Sequence, residues 1–369
     1  MTLRLSKSLA ARYPWVTPPF IVSAPMRIMS GPALAVNVSR AGGLGFIGPG
    51  AKTQDTLTDL QEATALLKSK SKSPGITLPN TPLPIGVGFQ LWSDDLDTAV
   101  QGIQLHQPCA AWLFAPRTMQ DLFTWIKRIR DASPSTQIWV QIGTVGEARE
   151  ILNHHHKNNS TSITSPDVLV IQGAESGGHG RATDGMGLMT LLPEIADLVS
   201  SSSDAKAKQI PLFAAGGITD ARGASAALCL GASGIVLGTR FLASTEARIS
   251  KGYQNEIVRA GDAAVSTTRT LLYNHLRGTT GWPKEYSPRG VVNRSYVEHC
   301  EGRAFEELKR EHDEALKKGD EGWGPEGRLA TYAGAGVGLI KEVQDAGRIV
   351  EEVRKGVLGR VKGEERSML

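Results

Sequence analysis

Cysteine is scarce and scattered. Three occur in 369 residues, Cys109, Cys229 and Cys300, and no C-x-x-C pair exists. The chain therefore carries neither a zinc-ligand spacing nor a disulfide framework, and its thiols suit a reducing compartment. No apolar run reaches the ~20 residues of a membrane span, and no signal-peptide core is present. A dense basic patch is missing too. The 41 Lys and Arg against 37 Asp and Glu leave a net charge of +4, small for this size, which argues against nucleic acid as the main partner. Acid is absent from the start, the first being Asp55. An acid-poor start is shared with mitochondrial presequences, but a first strand beginning near Phe20 leaves little room for one. The last residues, Ser367-Met368-Leu369, are a poor variant of the S-K-L peroxisomal address. The expected compartment is the cytoplasm, with the peroxisome as the weaker alternative. A metal is not expected either. His154-His155-His156 lie in a polar stretch, 153–166, with no carboxylate or cysteine nearby, and adjacent side chains do not converge easily on one ion; the stretch reads as a solvated loop.

What is abundant is glycine, 41 residues, beside an apolar content of 40%, as in an α/β enzyme with many tight turns. Short apolar runs alternate with segments of helical spacing. Strands are predicted near 18–24, 44–47, 83–89, 110–114, 137–142, 168–171, 212–215 and 233–237. Helices are predicted after Ser30, which is placed to cap one with Pro32 in its first turn, then over 53–68, 94–104, 119–131, 147–152, 187–199 and 220–230. Leu57, Leu60, Ala63 and Leu67 mark the buried stripe of the 53–68 helix. Eight strand–helix units with no other repeat indicate a barrel.

Two stretches concentrate the chemistry. The first, 168–181, reads VLVIQGAESGGHGR. A buried strand stops at Gln172-Gly173, and a turn of small residues holds Glu175, Gly177, Gly178, His179 and Arg181. Residues without bulk let backbone N–H groups approach a ligand, and a histidine near neutral pH can take or give a proton. The second stretch, 211–247, holds two strand–turn–helix starts, at Gly216-Gly217 and Gly238-Thr239. Asp220 or Thr219 is placed to cap the first helix. Glycine just before a helix N-terminus is a phosphate-binding arrangement, and in eight-stranded barrels that site is frequently made by the loops after strands seven and eight.

Taken together, Ser23-Ala24-Pro25-Met26, Ala41-Gly42-Gly43-Leu44-Gly45, Gln141-Ile142-Gly143-Thr144, Gln172 to His179, Ala214 to Ile218 and Leu237 to Leu242 resemble the nitronate monooxygenase family. The resemblance covers roughly residues 20–247, with weaker echoes beyond. It implies a (β/α)8 TIM barrel that binds FMN and oxidises alkyl nitronates, and possibly nitroalkanes, with O2 to carbonyl compounds and nitrite. By that resemblance Ala24, Pro25 and Met26 run along the flavin. Gln141 and Gln172 meet the polar edges of its ring, Gly177 and Gly178 flank it, and Gly216, Gly217, Gly238 and Thr239 hold its phosphate. His179 is the catalytic residue, orienting the anion or acting as general base. Two positions depart from the family pattern: Arg27 stands where a small residue is common, and Gly88 where an asparagine is. Gln90 is placed to supply the missing amide, and Trp92 either walls the pocket or is a rim aromatic.

Past 247 the pattern turns helical and charged, interrupted at 276–283 and 286–293. The expected organisation is a barrel over 1–250, a smaller, mostly helical lobe over the barrel mouth at 251–325, and a segment, 326–369, that returns to the barrel and ends in a helix at 343–357. Trp282, Tyr286 and Arg289 either reach the substrate or form a structural loop. The G-x-G-x-G at 334–338 lacks a preceding strand and a ribose-binding acid, so it is not read as a dinucleotide site. Two other functions fit the same barrel. One is an NAD(P)H-dependent flavin reductase acting on enoyl thioesters or quinones. The other is a non-catalytic flavin-binding scaffold.

Overall fold

The structure, a computed structural model, describes residues 6–69, 82–157 and 164–362, with the backbone alone at 155–157. The Ser367-Met368-Leu369 tail lies outside the described residues. Eight parallel strands close into a barrel: β1 (Ile21–Ser23), β2 (Leu44–Ile47), β3 (Leu83–Gln90), β4 (Pro108–Phe114), β5 (Gln137–Ile142), β6 (Val168–Gln172), β8 (Leu212–Ala215) and β9 (Gly234–Leu237). Ring closure is made by β1, whose Ser23 registers with Gly45 on one side and Leu237 on the other. The strands are short apolar runs because both faces are covered: one looks into the barrel, the other meets helices. This is the (β/α)8 TIM barrel expected from the strand–helix alternation.

Aromatic rings fill the barrel interior. Trp139 sits 4.5 Å from Phe213 and 5.3 Å from Phe46, and Phe20 lies 5.0 Å from Phe213. Room for them comes from two glycines: a Cβ added at Gly86 or Gly234 would stand 2.2 Å from the ring of Phe46 or Phe213. Tyr13 packs against Trp139, and its hydroxyl accepts the indole N–H at 2.8 Å. A helix the sequence reading had not foreseen, Lys7–Arg12, precedes it and is capped by Ser6.

The outer helices bury the predicted stripes, Leu57, Leu60, Ala63 and Leu67 among them. Helix Met119–Ala132 starts with a Thr118–Asp121 capping box, which satisfies two amides otherwise left unpaired. The last helix, Ala346–Lys362, packs on helices Pro32–Arg40 and Ala221–Cys229.

Several local expectations change. The cap of the Pro32 helix is Gly31, while Ser30 Oγ accepts from the Met26 amide at 2.7 Å and shapes the turn after β1. The helix at 147–152 is longer, Val145–Lys157, and carries the histidine triplet on its last turn. His154 stacks on Phe123, with centroids 3.5 Å apart. Cys229 is exposed at the end of the helix Ala221–Cys229. The stretch beyond residue 250 is not helical throughout. Its helices accompany a three-stranded antiparallel sheet of β7 (Gly178–Arg181), β11 (Tyr286–Val291) and β10 (Thr267–Arg269). No helix among the described residues is long and apolar enough to cross a membrane.

Candidate active site

Every barrel strand points its C-terminal end at one pocket, the usual location of the site in this fold. Its cavity volume is about 210 Å³, far above the ~10–15 Å³ that one water needs. All twelve residues singled out in the sequence line it: Ala24, Pro25 and Met26 after β1, Gln141 on β5, Gln172 on β6, Gly177, Gly178 and His179 on the loop after β6, Gly216 and Gly217 after β8, and Gly238 and Thr239 after β9. Gln90 and Trp282 join them, whereas Trp92, Tyr286 and Arg289 do not line it. Trp92 stands behind Trp282, with ring centroids 4.9 Å apart.

The glycine turn after β8 leaves its donors free. Gly216 and Gly217 take φ of +97° and +72°, a region L side chains avoid, and among the described residues no backbone acceptor engages their amides or that of Gly238. A substituent at Gly217 would press on Glu175 Cβ at 3.0 Å. The helix Ala221–Cys229 that follows offers less than expected, because the Asp220 carboxylate already accepts the amides of Arg222 and Gly223. Thr239 Oγ1 accepts the amide of Gly334 at 3.0 Å. The glycine-rich segment at 332–339 thereby lies against this end of the pocket.

Both glutamines are oriented. Gln141 Oε1 accepts from the indole of Trp112 at 2.9 Å, which leaves its NH2 as the group for a ligand. Gln172 Nε2 donates to the carbonyl of His179 at 3.2 Å, so this side chain also holds the loop. Gly88 has a steric reason to lack a side chain, since a Cβ would lie 2.4 Å from the Pro25 ring. The amide expected there is excluded, while Gln90 lines the pocket two residues on.

Two side chains hold the His179 ring. Its ring lies flat on Trp282, with centroids 3.6 Å apart and planes 4° apart. Nε2 is 3.0 Å from Nδ2 of Asn274, whose Oδ1 accepts from the Tyr332 hydroxyl at 3.4 Å. Burial drives the imidazole pKa down to about 3, against the hydrogen bond from Asn274 and with the charges of Arg269, Arg277 and Arg27 adding to the depression. The ring is therefore neutral at neutral pH. Among the described residues no Asp or Glu lines the pocket, while Arg27 and Arg277 do. Arg27 donates to the carbonyls of Gly50 and Ala51, and Arg277 lies over the Tyr332 ring at 5.2 Å.

The other charged residues of the loop are structural. Glu175 accepts the Leu188 amide at 3.0 and 3.1 Å and starts the next helix. Arg181 pairs with Glu147 and Asp184. Behind the loop, Arg269 donates to the carbonyls of Ala174 and Ser176 at 3.1 and 3.0 Å, to that of Gly178 at 3.2 Å and to that of Ser287. Burial and the neighbouring Arg289 lower its pKa to about 10.

A family model described as nitronate monooxygenase matches residues 14–69 and 128–355. The chain belongs to the nitronate monooxygenase family. Nitronate monooxygenase npaC of Metarhizium robertsii is 56% identical over 349 residues, 94% of this chain and 93% of that protein. A nitronate monooxygenase of Neurospora crassa is 34% identical over 365 residues, 95% of this chain and 92% of the relative. Among solved structures, a nitroalkane oxidase from Streptomyces ansochromogenes superposes with a TM-score of 0.69 at 23% identity, covering 97% of this chain and 100% of that one; it supports the fold.

Nitronate monooxygenases are flavin-dependent oxidoreductases, and the pocket fits such a ligand on its own evidence. Three buried polar atoms of its lining, Gln90 Oε1, Thr219 Oγ1 and Trp282 Nε1, have no hydrogen-bond partner. Buried polar groups are rarely left so unless a ligand or water satisfies them. Sequence reading missed Asn274, Tyr332 and Arg277. Asn274 lies 95 residues from the histidine it bonds, in a stretch with no motif, so no local signal could have found it.

Proposed function

We propose that the pocket binds FMN and that the protein oxidises alkyl nitronates with O2 to carbonyl compounds and nitrite. The observation that carries this reading is a half-buried neutral histidine set among guanidinium groups in a pocket where, among the described residues, Nδ1 has no protein partner and no carboxylate lines the wall. Such a site favours a small anion over a cation or a metal complex. In the proposed arrangement the free amides of Gly216, Gly217 and Gly238, with Thr239, take the single phosphate of a mononucleotide. Ala24, Pro25 and Met26 run along the ring, Gln141 offers its NH2 to a ring acceptor, and Gln172, Gly177 and Gly178 complete the wall. When bound, the flavin supplies the redox chemistry.

The protein's own work is to bind the nitronate, orient it and keep water out. With Nε2 committed to Asn274, His179 meets the substrate through Nδ1–H, a neutral donor suited to a nitronate oxygen. Its depressed basicity makes it a weak proton acceptor at neutral pH, so the nitronate is the form it serves directly. Arg27 and Arg277 add positive potential, and Trp282 shields one imidazole face. We further propose that the barrel ends near residue 250, that residues 251–325 form a lobe over its mouth, and that 326–369 return to the barrel.

The test is anaerobic mixing of the flavin-loaded protein with an alkyl nitronate and, separately, with NADPH. A change in flavin absorbance with the nitronate alone is expected. Bleaching by NADPH would replace this reading with that of a reductase, and no response to either would favour a scaffold. His179→Ala is expected to keep its flavin and lose about 100-fold or more of its turnover.

A further inference from the structure

His179 has two ring nitrogens and only one of them is committed. Nε2 faces Asn274 at 3.0 Å; among the described residues Nδ1 has no hydrogen-bond partner, and His179 lines the pocket. Which nitrogen carries the proton is decided by what Asn274 presents. Its amide has one end already fixed, since the Tyr332 hydroxyl donates to Oδ1. That leaves NH2 toward the imidazole, and a donor opposite Nε2 makes Nε2 the acceptor. The proton then resides on Nδ1, the pocket side. Tyr332 is itself kept in place by Arg277 over its ring and by backbone bonds to Tyr253, whose hydroxyl accepts the Tyr332 amide at 2.7 Å. Trp282, flat on the imidazole at 3.6 Å, opposes the ring flip that would put a carbon in place of Nε2 opposite Asn274.

We propose that Asn274 is a positioning residue for the reaction: through the chain Tyr332–Asn274–His179 it holds the imidazole as the neutral Nδ1–H tautomer, so that His179 meets the anionic substrate as a hydrogen-bond donor. This rests on the assignment of His179 made above and deepens it. Asn274 is not among the residues that line the pocket. It is 3% exposed and sits on the helix Leu272–Arg277, outside the barrel. Cationic groups around the imidazole, Arg269 behind the loop and Arg27 and Arg277 at the pocket, all act against protonation. The amide therefore fixes the tautomer without supplying the negative charge that would turn the ring into an imidazolium.

A carboxylate at 274 would reverse both effects. It cannot donate to Nε2, so the proton moves to Nε2 and Nδ1 becomes an acceptor facing an anion; it also raises the imidazole's basicity. Three full-length proteins decide the matter: Asn274→Asp, Asn274→Leu and His179→Ala, each with flavin content and thermal midpoint measured beside kinetics. With 15N-histidine labelling, the signals lost in His179→Ala assign those of His179. The wild type is expected to show a pyrrole-type Nδ1 and a pyridine-type Nε2, and Asn274→Asp the exchanged pattern or an imidazolium. Turnover of an alkyl nitronate is expected to fall on the order of 10- to 100-fold in both variants, the size of one misdirected or unsatisfied buried hydrogen bond. In Asn274→Asp alone, kcat/KM should acquire a histidine titration between about pH 5 and 8, where the wild type is flat. A purely structural asparagine would lower the thermal midpoint without creating that titration. If His179→Ala loses turnover while Asn274→Asp keeps wild-type kinetics and nitrogen signals, the role of Asn274 is refuted and that of His179 stands. If His179→Ala itself turns over normally, both fall.

Discussion

At the scale of the residue, the least ordinary group is an imidazole kept neutral by its surroundings. In the unfolded chain His179 takes a proton near pH 6.5, but in the folded protein only near 3. Between those values the unfolded chain binds the additional proton, so stability is present above 6.5 and is lost as pH falls toward 3. His179→Gln removes this contribution. The difference in urea-unfolding free energy between wild type and variant should shift against the wild type between pH 7 and pH 5, by up to about 2 kcal/mol. An unchanged difference would mean that the ring is protonated in the folded protein. This part of the site was only half legible. The motif residues announce themselves because small residues, an amide and a histidine cluster within a few positions. Asn274, Tyr332 and Arg277 do not, because their importance comes only from what folding brings beside them. Gly88 needed the structure too: the proximity of the Pro25 ring is invisible in the sequence.

At the scale of the element, the contrast is between barrel and sheet. The barrel strands were readable because burial on both faces demands unbroken apolar runs, as in IVS, LGFI or VLVIQ. The three-stranded sheet was not. Its members read GHGR, TTR and YSPRGV: three glycines, a proline, and neither alternation nor an apolar run. The ladder of β7 and β11, pairing Gly178 with Arg289 and His179 with Pro288, is held by main-chain bonds and by Arg269. That guanidinium gathers carbonyls from the loop after β6 and from β11, and no carboxylate among the described residues pairs with it. Arg269→Met should leave those oxygens without their donor and cost about 2–4 kcal/mol, read as a lowered urea midpoint together with weakened flavin retention. Lysine should not restore it, since a single ammonium lacks the fork that reaches carbonyls in several directions. Full stability in Arg269→Met would show that the loop is held by the strand ladder alone.

At the scale of the whole molecule, stability comes from the filled barrel. Phe213 is fully buried between Phe20 and Trp139 and faces Gly234. Phe213→Ala should open a cavity and destabilise the protein by about 3–5 kcal/mol, measured by chemical denaturation, while the pocket at the opposite end of the strands keeps its lining. Gly234→Ala should also destabilise the fold, because the added methyl meets a ring that has nowhere to move.

The antiparallel ladder also determines what can be exchanged between relatives. The strand bearing His179 leaves the barrel after β6, yet its hydrogen-bonded neighbour is β11, more than a hundred residues later. In a chimera, a foreign segment spanning 251–325 would therefore have to align its own edge with Gly178–Arg181 before the histidine could stand where it does. A barrel trimmed of that segment would leave the same strand with no ladder. The smallest transplantable unit is neither the barrel nor the part above it, but the two with their shared seam.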